Sequence, residues 1–219
     1  MDTLSLVALT LGAGWASGIN LYAAILTLGL MGATGAVMLP PGLMILTHPL
    51  VLGAAGFMYM VEFFADKTPG VDTAWDGIHT FIRIPAGVLL AYGATSTLDP
   101  ALQFAAMLVS GGLATASHAT KAGSRMLINT SPEPVSNWTA SLLEDVAVIG
   151  GLWTALHYPL AFLIFLTCFV LLMLWMLPRL WRGIKALFQR IAGVFGAGKK
   201  EAEPVPPALV EYLPPKKNE

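Results

Sequence analysis

Long apolar runs, punctuated by short polar stretches that hold proline, repeat along this chain from Leu4 to Leu177. A helix needs about 20 such residues to cross the hydrocarbon core of a bilayer. The pattern predicts an all-α transmembrane bundle of about six helices. The first runs from Leu4 to Met38 and stops at Pro40-Pro41. It is longer than one crossing requires and rich in glycine, so a tilt, or a break near Gly18-Ile19-Asn20, suits it. The second runs from Gly42 to Phe64, and the third from Thr73 to Thr95 with Pro85 inside it. After the turn Leu98-Asp99-Pro100 comes the fourth, from Ala101 to Asn129. The fifth covers Asn137 to His157, ended by Tyr158-Pro159, and the sixth is the evenly apolar run Leu160 to Leu177. Three segments result: a helical membrane domain over 1–178, a basic amphipathic helix over 179–197, and a disordered proline-rich tail over 198–219.

Composition agrees with a membrane home. Of 219 residues, 56% are hydrophobic and 11% charged, and the mean hydropathy is +0.70. A soluble domain of this size exposes too much surface to hide that much apolar area, whereas lipid solvates it directly. The net charge of -1 gives no field that would draw nucleic acid. The one cysteine, Cys168, lies in an apolar run and reads as a small hydrophobe facing lipid or core. A cleaved signal peptide fits poorly, because Asp2 stands where a basic region belongs and the apolar pattern continues far beyond any cleavage site.

Lysine and arginine near helix ends set orientation. Arg179, Arg182, Lys185 and Arg190, with Lys199 and Lys200 beyond, place the C-terminal end in the cytoplasm. Six crossings then put the N-terminus there too, along with the loops 66–72 and 130–136. Over 179–197, Leu180, Trp181, Ile184, Leu187, Phe188 and Ile191 recur at helical spacing opposite the basic residues. That pattern suits a helix lying in the headgroup plane of an anionic leaflet, the alternative being a helix packed on a partner.

The polar residues inside the helices are not scattered. Pro69 and Trp75 share their spacing with Pro132 and Trp138, 63 positions on, and the same offset relates Asp66 to Asn129 and Gly87 to Gly150. The pattern predicts a duplicated helix–loop–helix unit. In the fourth helix His118, Lys121, Arg125 and Asn129 lie on one face. The offset maps Arg125 onto Glu62 and Asn129 onto Asp66, so packed repeats would bring Glu62 toward Arg125. Snorkelling to the interface is the plainer reading for Asp66 and Lys67. The third helix carries Asp72, Asp76, His79 and Arg83 on one face, a set suited to a proton or metal site or, more simply, to an acidic helix start with an Asp76–Arg83 contact. The fifth adds Asn137, Ser141, Glu144 and Asp145, one of the two acids being the partner of Lys121 or Arg125. Charges within a membrane are costly and pair or line a cavity. The candidate binding residues are therefore Glu62, Asp66, Asp72, Asp76, His79, Arg83, His118, Lys121, Arg125, Asn137, Glu144 and Asp145. Asn20 and Thr27 share a face of the first helix, and Gly14-xxx-Gly18 is a close-packing pattern. His48 and His157, beside prolines, read as residues of helix ends. Neither a complete metal-ligand set nor a cofactor motif is visible.

The segments Ala16-Ser17-Gly18-Ile19-Asn20-Leu21-Tyr22, Ala65-Asp66-Lys67-Thr68-Pro69, Trp75-Asp76-Gly77-Ile78-His79-Thr80, His118-Ala119-Thr120-Lys121-Ala122-Gly123-Ser124-Arg125 and Ser131-Pro132-Glu133-Pro134-Val135-Ser136-Asn137-Trp138, together with Glu144-Asp145, resemble a family of bacterial membrane proteins catalogued as a domain of unknown function. The resemblance covers about residues 10–175. It implies a bacterial inner-membrane location and supplies no activity.

Three functions remain open at this point. A small transporter or channel would use duplicated units and polar stripes around a common axis to pass an ion or small solute. An intramembrane enzyme would employ Asp76, His79, His118 and Glu144 on a lipid-like substrate. A structural or assembly protein would use the charges only to fix helix register. Lipid movement is a variant of the first. The bilayer itself and a small solute or ion are the expected partners, nucleic acid is not, and a homo-oligomer is compatible with the pattern.

Overall fold

The computed structural model describes residues 1–68, 70–130 and 134–194, and these are helical with no strand among them. The elements are α1 (Thr3–Ala33), a 3-10 helix (Pro41–Thr47), α2 (Pro49–Ala65), α3 (Val71–Ala94), α4 (Pro100–Ile128), α5 (Pro134–His157) and α6 (Pro159–Val194). Proline opens α2, α4, α5 and α6; its missing N–H costs nothing at a first turn. Asp2 caps α1, accepting from the Ser5 N–H at 2.9 Å, and that donor holds its carboxyl below the usual carboxylate range. His48 and Asp99 cap α2 and α4 in the same way through their side chains, so His48 is a cap residue. Pro69, Pro132 and the tail expected over 198–219 lie outside the described residues.

Three differences from the sequence reading have clear causes. The second helix is not one straight rod: the 3-10 segment and α2 meet at 66° across His48-Pro49, since the residue before a proline is driven out of helical geometry. The sixth does not end at Leu177, because α6 continues through Pro178 to Val194. The helix expected from residue 179 is its continuation, and residues 195–197 of that expectation lie outside the described residues. Finally, among the described residues three helices (α1, Val135–His157 and Pro159–Arg190) are long and apolar enough to cross a membrane, or four if the bent pair is one span. The helices α3 and α4 have the length for a crossing but carry most of the buried charge, so the expected six rest on them.

The repeat is visible in the element bounds. The ends of α2 at Ala65 and α4 at Ile128, the starts of α3 at Val71 and α5 at Pro134, and the ends of α3 at Ala94 and α5 at His157 all differ by 63 positions. The C-caps Asp66 and Asn129 share one backbone conformation (φ -63°, ψ -18° and φ -68°, ψ -6°).

Contacts divide the chain into a unit over 1–184 and another over 185–219. In the first, α1 is the axis and touches each of α2, α3, α4 and α5. Its helix breaks at Asn20, whose φ of -145° and ψ of 98° are extended, as expected from the glycine-rich run. It meets α4 through small residues: Ser110 Oγ donates to the Thr10 carbonyl at 2.9 Å and Ser117 Oγ to that of Trp15 at 3.0 Å. The indole of Trp15, fully buried, meets Phe162, Phe165 and Phe169 of α6 edge-on, with ring centres 5.6–6.0 Å apart.

The bundle is apolar outside and charged inside. On α3, Ile78, Phe81 and Leu89 are 63%, 82% and 65% exposed while Asp72, Asp76, His79 and Arg83 are buried. Leu160, Ile164, Leu171, Leu174 and the thiol of Cys168 face outward on α6. Soluble proteins rarely expose contiguous apolar surface on this scale. In lipid the arrangement is the stable one, because apolar side chains meet acyl chains and the charges of α3 and α4 are withdrawn inward.

Candidate functional site

Each polar stripe read from the sequence turns inward, and the stripes meet. The i, i+4, i+7 spacing on α3 and on α4 puts the charges of each helix on one side, and these two helices face each other closely. Seven ionisable groups form one connected cluster. Arg83 donates through Nη2 to Glu62 at 2.7 Å and through Nη1 to Asp76 at 2.9 Å. Lys121 is the hub: its Nζ lies 2.8 Å from Asp66, 3.4 Å from Glu62, 3.4 Å from Glu144 and 3.9 Å from Asp76. Arg125 grips Glu144 with two bonds, at 3.2 Å and 2.8 Å. Its third nitrogen donates to the carbonyls of Asp66 and Asn137 and to Asn137 Oδ1, at 3.1, 3.0 and 3.2 Å. One guanidinium thus ties the end of α2 to the start of α5. A planar fork of five donors does this; an ammonium would not.

Glu62 does not pair with Arg125. Its partners are Arg83 and Lys121, because Arg125 is consumed by Glu144 and the two loop carbonyls. Of the adjacent acids, Glu144 is the partner of both Lys121 and Arg125. Nor do Asp66 and Lys67 snorkel outward, both being buried. Lys67 lies 3.0 Å from the centre of the Phe63 ring and donates to the Phe63 carbonyl at 3.2 Å and Ser141 Oγ at 3.3 Å. Buried cations accept aromatic faces in place of water.

Around this core lie three polar extensions. Toward the loops, Asn129 Nδ2 donates to both oxygens of Asp72 (2.7 and 2.8 Å), and its Oδ1 accepts from Asn137 Nδ2 at 2.8 Å. Toward the middle of α1, Asp145 accepts from Asn20 Nδ2 at 2.9 Å and from the Tyr59 hydroxyl at 3.1 Å. Asn20 Oδ1 in turn accepts from the Ala23 N–H at 2.9 Å, capping the second half of the broken helix. The third extension is a pair of histidines whose tautomers follow from their partners. Arg83 can only donate, so His118 Nδ1 accepts from it (3.1 Å) and His118 Nε2–H donates to Thr80 Oγ1 (2.7 Å). For His79, Nδ1–H donates to the Trp75 carbonyl (2.9 Å) and Nε2 accepts from the Tyr22 hydroxyl (3.1 Å).

Ten of the twelve residues singled out in the sequence are therefore linked into one polar network, and His79 and Asp145 lie beside it, bonded to Tyr22 and to Asn20 and Tyr59. Tyr22, Tyr59, Lys67, Thr80, Asn129 and Ser141 join them. Asn129 had a signal, since it is the repeat equivalent of Asp66. The tyrosines had none, each being a lone hydroxyl on an apolar face. Thr27 lies apart, lining an apolar groove of about 340 Å³ with Tyr59 and Trp153. His157 stacks on Trp153 at the exposed end of α5. No group of three or more histidine, cysteine or carboxylate side chains is placed to hold a metal among the described residues.

The region has a direction. Arg83 sits at the middle of α3, with about 18 Å of helix on either side, and Asn20 lies about half-way along α1. Asp66, Asp72, Asn129 and Asn137 lie at the loop end of the same helices. Charged and amide groups run from that end to Arg83 at mid-bundle, and α1 breaks about half-way along its own length. Broken helices of this kind free backbone groups at depth and are tolerated where they line a protein site.

No curated protein and no solved structure matches the chain. The family model that does match spans residues 7–179, which takes in the whole charged region. The chain belongs to the family described as a domain of unknown function (DUF4126).

Proposed function

We propose that this protein is a multi-pass transporter or channel that passes an ion or small solute through the buried charged centre. The observation that carries the reading is the break of α1 at Asn20, which bonds to Asp145 beside a charged path that reaches the loop end of the bundle. The element suited to move is α2. It buries only Ala55, Glu62 and Ala65, it is flanked by apolar grooves of about 320 and 340 Å³, and it carries Glu62 into the centre.

Orientation has support too. Leu180 and Ile184 of α6 lie against Gly123, and Leu127 against Gly183, so Arg179 and Arg182 stand at the same end as Lys67 and Arg125. Basic residues gathered at one end face the cytoplasm; the charged path opens to that side, in a bacterial inner membrane. The basic continuation of α6 rests on the anionic leaflet there.

A second reading, in which the charges only lock the helices in register, draws on how closely the seven groups pair. The two readings separate in liposomes. Purified protein should pass protons, Na⁺ or K⁺ driven by an imposed potential and read with fluorescent indicators. Asp76→Asn and Arg125→Lys should each cut that flux at least tenfold at equal amounts of folded protein. No flux from the wild type, or undiminished flux in both variants, ends the transport reading.

A further inference from the structure

The ion-paired cluster does not balance. Four carboxylates (Glu62, Asp66, Asp76 and Glu144) face three cations (Arg83, Lys121 and Arg125). Three of the carboxylates also leave one oxygen each without a donor: Glu62 Oε2, Asp66 Oδ1 and Asp76 Oδ2. Those residues are 0%, 2% and 1% exposed, so bulk water does not complete them. Glu144, the most exposed of the four, has both oxygens bonded to Arg125. The surplus charge and the bare oxygens therefore coincide on the Glu62–Asp66–Asp76 trio.

The groups around the trio add no net positive charge. Just past the end of α2, Lys67 turns to Phe63 and Ser141, and its one charge is outnumbered by Asp72 and Asp145. On α3, Asp72 adds another negative charge, and His79 spends its one N–H on the Trp75 carbonyl. On α4, His118 turns Nδ1 to Arg83 and Nε2 to Thr80. On α5, Asp145 is satisfied by two neutral donors. On α1, the titratable group nearby is Tyr22, already donating to His79. An uncompensated buried charge costs several kcal/mol, and such a group takes up a proton instead.

We infer that the Glu62–Asp66–Asp76 trio holds one proton in the resting protein, and that the ion moved through the centre is a proton. The proton comes from a hydronium ion of the solvent: one of its O–H bonds breaks, one O–H bond forms on a bare carboxylate oxygen, and a water molecule is released. The second half of this statement rests on the transport reading. The first does not.

The test is infrared spectroscopy of the full chain in lipid at neutral pH, in NaCl and in choline chloride. The expected result is a carbonyl band of a neutral carboxylic acid, shifted in D₂O, with an area of about one group per chain in both salts. Because the surplus is collective, Glu62→Gln and Asp76→Asn should each abolish the band. Each should also melt within a few degrees of the wild type, whereas Arg83→Gln should melt far lower. No band in either salt, or a band lost in NaCl through sodium binding, would overturn the inference. So would a Glu62→Gln variant as unstable as Arg83→Gln, since that marks four ionised acids. A band without proton flux in liposomes retains the bound proton and discards transport.

Discussion

Replacing Lys121 by methionine is expected to cost the fold about 3–5 kcal/mol, the usual loss when one partner of a buried ion pair is removed. The side chains are similar in length, so little of the loss comes from packing. It comes from charge. The Lys121 ammonium lies within 4 Å of all four carboxylates of the cluster, and without it two arginines face four acids. The loss should depend on pH in a definite sense. Stripped of their ammonium, the acids regain neutrality by binding protons in the folded state that they release on unfolding into water. Stability then falls as pH rises, because the unfolded chain binds fewer protons than the folded one. Denaturant unfolding in detergent at pH 5 and pH 8 measures this: the variant should lose more against wild type at pH 8. Adding Glu62→Gln should restore part of the loss, a coupling that a double-mutant cycle reads directly. Equal losses at both pH values would mean that Lys121 acts through packing.

Gly18→Ala is the other large expected effect, and it arises from shape alone. A Cβ at Gly18 would overlap Ser117 Oγ and the Ala114 carbonyl oxygen, and one at Gly14 would sit 2.8 Å from Ser110. Backbone cannot move aside as a side-chain tip can, so α1 and α4 must separate. Overfilled cores typically lose about 1–3 kcal/mol. Here the Ser117–Trp15 and Ser110–Thr10 bonds go as well, so the upper end or beyond is expected. Gly53→Ala in α2 is the matched control. Nothing lies within 4 Å of its added methyl, and it should be neutral or stabilising by up to about 1 kcal/mol through helix propensity. Melting temperatures of the two variants in one detergent decide the matter; equal values would contradict the close contact of α1 and α4.

Much of this was legible in the sequence, and the residues show why. Helical spacing places Asp72, Asp76, His79 and Arg83 on one side of a helix wherever that helix sits. A charge within an apolar run has few places to go but inward. The offset of 63 between Asp66 and Asn129 carried over to helix ends that agree to the residue. Partner choice was less legible. The repeat pointed Glu62 at Arg125, yet which acid a guanidinium takes depends on distances across helices, and Arg125 was captured by Glu144 and two loop carbonyls. Proline misled in both directions. Pro49 bends the chain at 66°, while Pro178 is absorbed within α6. A proline N–H is missing in either case; whether the chain bends depends on what packs beside it. The tyrosines were invisible because a single hydroxyl among apolar neighbours carries no periodicity.

The central claim is that the charged centre communicates with water from the loop end, and one measurement tests it without knowledge of the substrate. Ser141 is 1% exposed and accepts from Lys67, and cysteine nearly matches its size. With Cys168 replaced by serine, Ser141→Cys is treated in native membranes with a membrane-impermeant thiol reagent from either side. A transport centre predicts labelling from the cytoplasmic side, slowed when the protein is held in one state by cold. A cysteine at 141 that resists the reagent from both sides while the protein is folded and active for insertion would mark a sealed structural lock, and would contradict the account.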